Sequence, residues 1–163
     1  MRLGIISDTH LPRGARRIPD ACLDRLRAAD AILHAGDLVD VAVLELLRAL
    51  GPPLHAIHGN VDTASIRAVL PARVEIELGG VRVGMIHAPG AASGRLRRLR
   101  AAFLGCQAVV FGHSHLPLHE SDADGFQIFN PGSPTERRRA PRHTMGLATA
   151  DEGTVRFELV ALD

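Results

Sequence analysis

Short apolar runs that stop abruptly at a glycine or a polar residue, with stretches of helical periodicity between them, constrain this chain more than any other feature of its sequence. Residues 3–6, 31–35 and 54–58 are apolar runs of strand length. Between the first two, residues 19–28 carry Cys22, Leu23 and Leu26 at helical spacing, and Pro19 suits a first helical turn. Residues 41–50 do the same with Val41, Leu44 and Leu47, and Gly51-Pro52-Pro53 stops them. A short helix over 64–70 ends at Pro71. This alternation is the rhythm of βα units and predicts parallel pairing in the first half.

The second half reads differently. Residues 74–78 and 81–86 flank Gly79-Gly80, a two-residue hairpin signal. An arginine-rich helix over 95–104 and a strand over 108–111 follow, then strands over 118–120, 126–130, 145–149 and 155–160. The expectation is an α/β fold of two packed sheets, the first more parallel and the second more antiparallel, with helices outside. Neither a linker nor a repeat interrupts the pattern, so residues 1–163 are expected to form one domain.

Composition narrows the function. A chain of this length buries roughly 70% of its unfolded surface and needs neither disulfide nor structural metal to make a core, so metal ligands would point to function. Its 19 basic residues are all arginine and nearly cancel 18 acidic ones, leaving a net charge of +1. That balance argues against coating a membrane or an extended nucleic acid. Five Phe and no Tyr or Trp make a poor base-stacking platform. Cys22 and Cys106 stand far apart and read as reduced thiols. The start, MRLGIISDTHLP, reads as a first strand and not a signal peptide, and no run reaches the roughly 20 apolar residues of a membrane span. A soluble, cytoplasmic protein is expected, and the sequence leaves a homo-oligomer open.

Each expected strand end carries a polar residue of a particular kind. Asp8 and His10 follow the first strand, Gly36-Asp37 the second and Gly59-Asn60 the third; His87 and Gly112-His113-Ser114-His115 follow two later ones. Singly, these are common turn residues and surface histidines. Together they offer carboxylate, amide and imidazole ligands where open α/β sheets place their sites. Such ligands suit manganese, iron or zinc, and the absence of thiolate argues against a structural zinc. Seven candidates exceed the needs of one tetrahedral ion and fit two ions sharing a carboxylate.

The order D-x-H, G-D, G-N, H, G-H-x-H resembles the calcineurin-like metallophosphoesterases, in particular their small single-domain phosphodiesterase branch of bacteria and archaea. The resemblance runs from Asp8 through Asn130-Pro131-Gly132-Ser133-Pro134-Thr135. It implies a four-layer sandwich of two mixed β-sheets flanked by helices. It also implies that Asp8, His10 and His115 hold one divalent ion, that Asn60, His87 and His113 hold a second, and that Asp37 bridges them. Manganese is the first expectation for both ions, with iron, zinc or nickel as alternatives. Asp37, Asn60 and His113 are the residues assigned to catalysis itself.

Two divalent ions against Asp8 and Asp37 leave about +2 of charge, enough to bind a phosphate oxyanion and acidify a bridging water. The expected reaction is in-line attack on phosphorus by a metal-bridging hydroxide, on a small phosphodiester. Two departures from the wider family stand out. Many relatives read G-N-H-D where this chain has Gly59-Asn60-Val61-Asp62, and valine cannot protonate a leaving group. His87-Ala88-Pro89 replaces a common ligand-His-Gly step. His34 and His58 are candidates for a substitute proton donor, but a structural hydrogen bond at a strand end is the first expectation for both. Arg137, Arg138, Arg139 and Arg142 offer phosphate contacts, against simple surface charge; His55, His119 and His143 read as structural or surface residues. The competing function is a scaffold that keeps the fold without the catalysis, and a nuclease subunit is disfavoured because no additional DNA-binding segment accompanies the motifs.

Overall fold

The computed structural model describes all residues from 1 to 163. Its first half runs β1 (Arg2–Ile6), α1 (Asp20–Arg27), β2 (Ala31–His34), α2 (Val41–Arg48), β3 (Leu54–Ala56) and α3 (Ala64–Val69). The second runs β4 (Arg73–Leu78), β5 (Val81–Ile86), α4 (Arg95–Ala102), β6 (Ala108–Val110), β7 (Leu118–Ser121), β8 (Gln127–Asn130), β9 (Thr144–Asp151) and β10 (Thr154–Ala161). Every expected element is present, with ends that differ by up to two residues. No helix is long and apolar enough to cross a membrane.

The strands form two five-stranded sheets, in the orders β10-β9-β1-β2-β3 and β4-β5-β6-β8-β7. Each sheet is a mixture. In the first, β1 pairs parallel with β2 and β2 with β3, while β9 pairs antiparallel with both β1 and β10. In the second, β5, β6 and β8 run parallel, and β4 and β7 are antiparallel edges. The expectation of one more parallel and one more antiparallel sheet is therefore corrected. The chain carries its last hairpin back to pair with β1, so the antiparallel pieces of the second half are shared between the sheets.

Alternation along the strands builds three apolar layers. Leu3, Ile5 and Leu33 from one sheet meet Val83, Met85, Val110 and Phe129 from the other. On the outer face of the first sheet, Ile6 and Ile32 pack under Cys22, Leu26, Leu44, Leu47 and Ile66. On the outer face of the second, Val109 and Ile128 pack with Leu99 and Phe103. Helices therefore cover both outsides of the sandwich. With β1, β2 and β3 parallel in one sheet and β5 and β6 parallel in the other, two sets of carboxyl strand ends can supply one site.

Candidate metal centre

All seven predicted residues meet there. Asp8 stands just past β1, Asp37 past β2, Asn60 past β3, His87 directly after β5, and His113 and His115 past β6. The two sheets are tied together at this edge by Asp8, whose carboxylate accepts from the backbone N–H of His113 at 3.0 and 3.1 Å and from Ser7 Oγ at 2.7 Å. Asp8, His10 and His115 form one buried group of converging ligand atoms, and Asp8, Asp37 and His87 form another. Asp37 Oδ2 lies between the groups, 3.3 Å from His10 Nε2 and 3.2 Å from His87 Nε2. Asn60 Oδ1 is 3.0 Å from His87 Nε2 and 2.9 Å from His113 Nδ1. Asn60 and His113 are exposed and the other five buried, so the cluster is open to solvent on one side.

The backbone is bent to present these groups. Asp8, His10, Asp37, His113 and His115 all have φ between 46° and 71°. Non-glycine residues rarely adopt this left-handed region, and its cost persists where surrounding structure fixes it, commonly at functional sites. Glycine clears the space beside them: a Cβ on Gly59 would lie 2.0 Å from Asp37 Oδ1.

The histidine tautomers are set from behind. His87 Nδ1 faces the Ala35 carbonyl at 2.8 Å, and His115 Nδ1 faces the Glu136 carbonyl. A proton held on Nδ1 leaves the Nε2 lone pair free for a metal. The Nε2 atoms of His10 and His115 are buried and have no hydrogen-bond partner. Electrostatics favours a cation here. Burial lowers the pKa of His10, but the carboxylates of Asp37 and Asp8, 3.3 and 3.8 Å from its Nε2, outweigh it and raise it to about 9. His87 is raised from its ordinary value by the same opposition of burial to Asp37 and Asp8. Burial pushes the Asp37 carboxyl up, yet His10, His87 and the Val61 amide hold it far below the ordinary carboxylate range. His115 is lowered, chiefly by burial. Oxygen and imidazole donors, two unpartnered buried nitrogens and two carboxylates fit divalent ions of the manganese, iron and zinc type.

The supporting shell was largely hidden in the sequence. Asp62 is buried, and its carboxylate accepts from the N–H groups of Asp37 at 2.9 Å, Val39 at 2.6 Å and Gly59 at 2.6 Å. It locks the Asp37 and Asn60 loops together. Glu136 lies 3.5 Å from His10 Nδ1 through Oε2 and pairs with Arg13 at 3.1 Å and Arg16 at 3.3 Å. Its carboxylate therefore sets a negative charge beside His10, and its carbonyl faces His115 Nδ1. Ser133 and Thr135 donate to the carbonyls of Asp8 at 2.8 Å and Thr9 at 2.6 Å, which explains how the loop after β8 shapes the site. The position of Asp62 and Glu136 beside recognised motifs was their only sequence signal.

His34 is structural. It is buried, its Nδ1 accepts from Gly36 N and its Nε2 faces Thr9 Oγ1 at 3.1 Å, and burial lowers its pKa to about 4. His58 instead lines a cavity of about 350 Å³ with Asn60, Arg67, Arg73 and His87. Of the arginine cluster, Arg137 donates to the Ala140 carbonyl of its own loop, while Arg138 and Arg139 line a small hollow with Ser114 and Leu116.

A probable metallophosphoesterase of Methanothermobacter thermautotrophicus is 36% identical over 140 residues, covering 85% of this chain and 80% of that protein. Among solved structures, zinc-bound Vps29 of Entamoeba histolytica superposes over 100% of both chains with a TM-score of 0.78 at 23% identity. An archaeal phosphodiesterase superposes over 98% of this chain and 100% of its own with a TM-score of 0.73 at 19% identity. At those identities the two structures speak to the fold, which is the same. The calcineurin-like phosphoesterase superfamily domain matches residues 1–153, and with the 36% relative it shows that the chain belongs to that superfamily.

Proposed function

We propose that this protein is a metal-dependent phosphodiesterase that acts on a small phosphoester with two divalent ions, manganese before iron, zinc or nickel. The observation that carries the reading is the pair of buried, unpartnered Nε2 atoms of His10 and His115 beside Asp8 and Asp37. Burying such groups without partners costs stability, and an ion between them offsets that cost. Asp8, His10 and His115 would hold one ion, Asn60, His87 and His113 the other, and Asp37 would serve both. Bound there, the ions supply Lewis acidity toward a phosphoryl oxygen and a water acidified toward neutral pH.

The chain's own part is to fix charge and geometry. Asp62 and Glu136 hold the loops so that the ligands need not reorganise. Asn60 and His113 border solvent, where a phosphate arrives. Val61 offers no proton, which favours leaving groups that depart without one. His58 is the remaining donor candidate, since the cavity it lines adjoins Asn60 and His87 and has room for a leaving group. His34, with both ring nitrogens engaged, is not a donor.

The test is metal analysis of the purified protein followed by hydrolysis of bis-p-nitrophenyl phosphate and p-nitrophenyl phosphate in manganese. Two equivalents of metal and a preference for the diester are expected, with activity lost in Asp37→Asn and His113→Ala. Metal-loaded protein inert on both esters would instead favour a scaffold, the alternative raised by the shared fold with Vps29.

A further inference from the structure

At the other end of β1 lies a group of arginines that the metal centre does not use. Arg2 on β1 pairs in register with Thr149 on β9, and Thr149 pairs with Arg156 on β10, so the three form one cross-strand row. Leu3, Ala148, Ala150 and Val155, their sequence neighbours, all face the layer between the sheets. Alternation therefore turns Arg2, Thr149 and Arg156 outward, and all three are exposed. Helix α1 lies over this face through Leu26 and adds Arg25, so helix and hairpin border an open-sided cavity of about 260 Å³ lined by Arg2, Arg25, Arg156, Thr149, Leu147 and Glu158.

None of the three guanidinium groups forms an ion pair, whereas Arg27, Arg73 and Arg100 each have a carboxylate partner. Arg25 spends one N–H on the Ala21 carbonyl at 2.7 Å. Glu158, opposite Leu147 in the next row, is the one acid in the lining and cannot balance three positive charges. Rows across three strands set Arg2 and Arg156 about 10 Å apart, a span that two long side chains close around one tetrahedral anion. We infer that this cavity is a second binding site, for a small molecule carrying a phosphate monoester, with Thr149 as a further donor and Glu158 as acceptor for a ligand hydroxyl or amino group. Six residues of extended chain separate Arg2 from Asp8, about 20 Å, so the site is distinct from the metal centre.

Adenosine 5′-monophosphate is the probe, titrated into the zinc-loaded protein while the Thr149 amide and the arginine Nε–H resonances are followed by NMR. Saturable shifts of Arg2, Arg25, Arg156 and Thr149 are expected with the nucleotide and not with adenosine. Arg2→Gln and Arg156→Gln should each weaken binding about tenfold, as for loss of a charge-assisted hydrogen bond, and leave hydrolysis of an aryl phosphodiester unchanged. Both positions are exposed, so the variants should fold. Shifts confined to residues around Asp37 and His113, no saturable shifts at all, or equal affinity in wild type and both variants would overturn the assignment.

Discussion

Adding one methyl group at Gly59 tests whether the Asp37 carboxylate must stand where it does. An alanine Cβ there would lie 2.0 Å from Asp37 Oδ1 and 2.7 Å from Asp37 N, whereas real Cβ atoms stay beyond 3.0 Å. Rotating the carboxylate cannot relieve the contact with the backbone nitrogen, and Gly59 N is itself held by Asp62 at 2.6 Å. The backbone contact alone therefore parts the Asp37 and Asn60 loops by at least about 0.3 Å, beyond the tolerance of about 0.2 Å in metal–ligand distances. Gly59→Ala should cost about 1–3 kcal/mol of stability and lower metal affinity about 10–100-fold, as for loss of the support behind a ligand. Gly146→Ala supplies the control, because its Cβ would meet Phe129 Cε1 at 2.4 Å in the layer between the sheets. It should destabilise by a similar amount and bind metal normally. Urea unfolding and competition with a chelator measure the two quantities. Gly59→Ala binding two equivalents of metal within about threefold of wild type would refute the argument.

Three further outcomes follow from the same geometry. Glu136→Gln should weaken metal binding about 10–100-fold without unfolding the chain, since Gln cannot hold the charge that braces His10; chelator competition reads it directly. His10 is raised to about 9 in the metal-free protein, so metal uptake must displace its proton, and apparent affinity should climb about tenfold per pH unit up to that point. The same shift stabilises the metal-free fold fully below the unfolded value of about 6.5, and that contribution disappears as pH rises through about 9. Thermal melts should therefore show the metal-free protein losing stability over that window while the metal-loaded protein does not. Val61 is 43% exposed, so Val61→His should leave stability within about 0.5 kcal/mol and raise turnover of poorly leaving esters by up to about 100-fold; an unchanged rate would place the proton donor elsewhere.

The strands and helices were legible because local periodicity reports which face is buried. Leu3 and Ile5 alternate, and Cys22 and Leu26 share a helical face, whatever lies across from them. Which sheet a strand joins is not local information. Residues 144–161 read correctly as strands, yet nothing in them states that β9 pairs with β1 and not with β8. That choice is made by the match of Ala148 and Ala150 to the layer where Leu3 and Val81 already sit.

The same division runs through the site. Asp8, His10, Asp37, Asn60, His87, His113 and His115 were readable because ligand chemistry permits few residue types and strand ends permit few positions. Asp62 and Glu136 were not, since a carboxylate that receives backbone N–H groups, as Asp62 does, or arginines, as Glu136 does, is indistinguishable in sequence from one that faces water. Yet these two carry much of the geometric burden. The left-handed φ of Asp37 is held by Asp62 accepting from Asp37 N and Val39 N, and the ring of His10 faces the Glu136 carboxylate at 3.5 Å. At Asp37 the strain therefore has an identifiable opposing force, the buried Asp62 carboxylate, which its three backbone donors reach only when the loops are bent. Removing Asp62 should relax this corner before it unfolds the sheets, because Leu11, Leu38 and Ile57 still anchor the loops in the apolar layers.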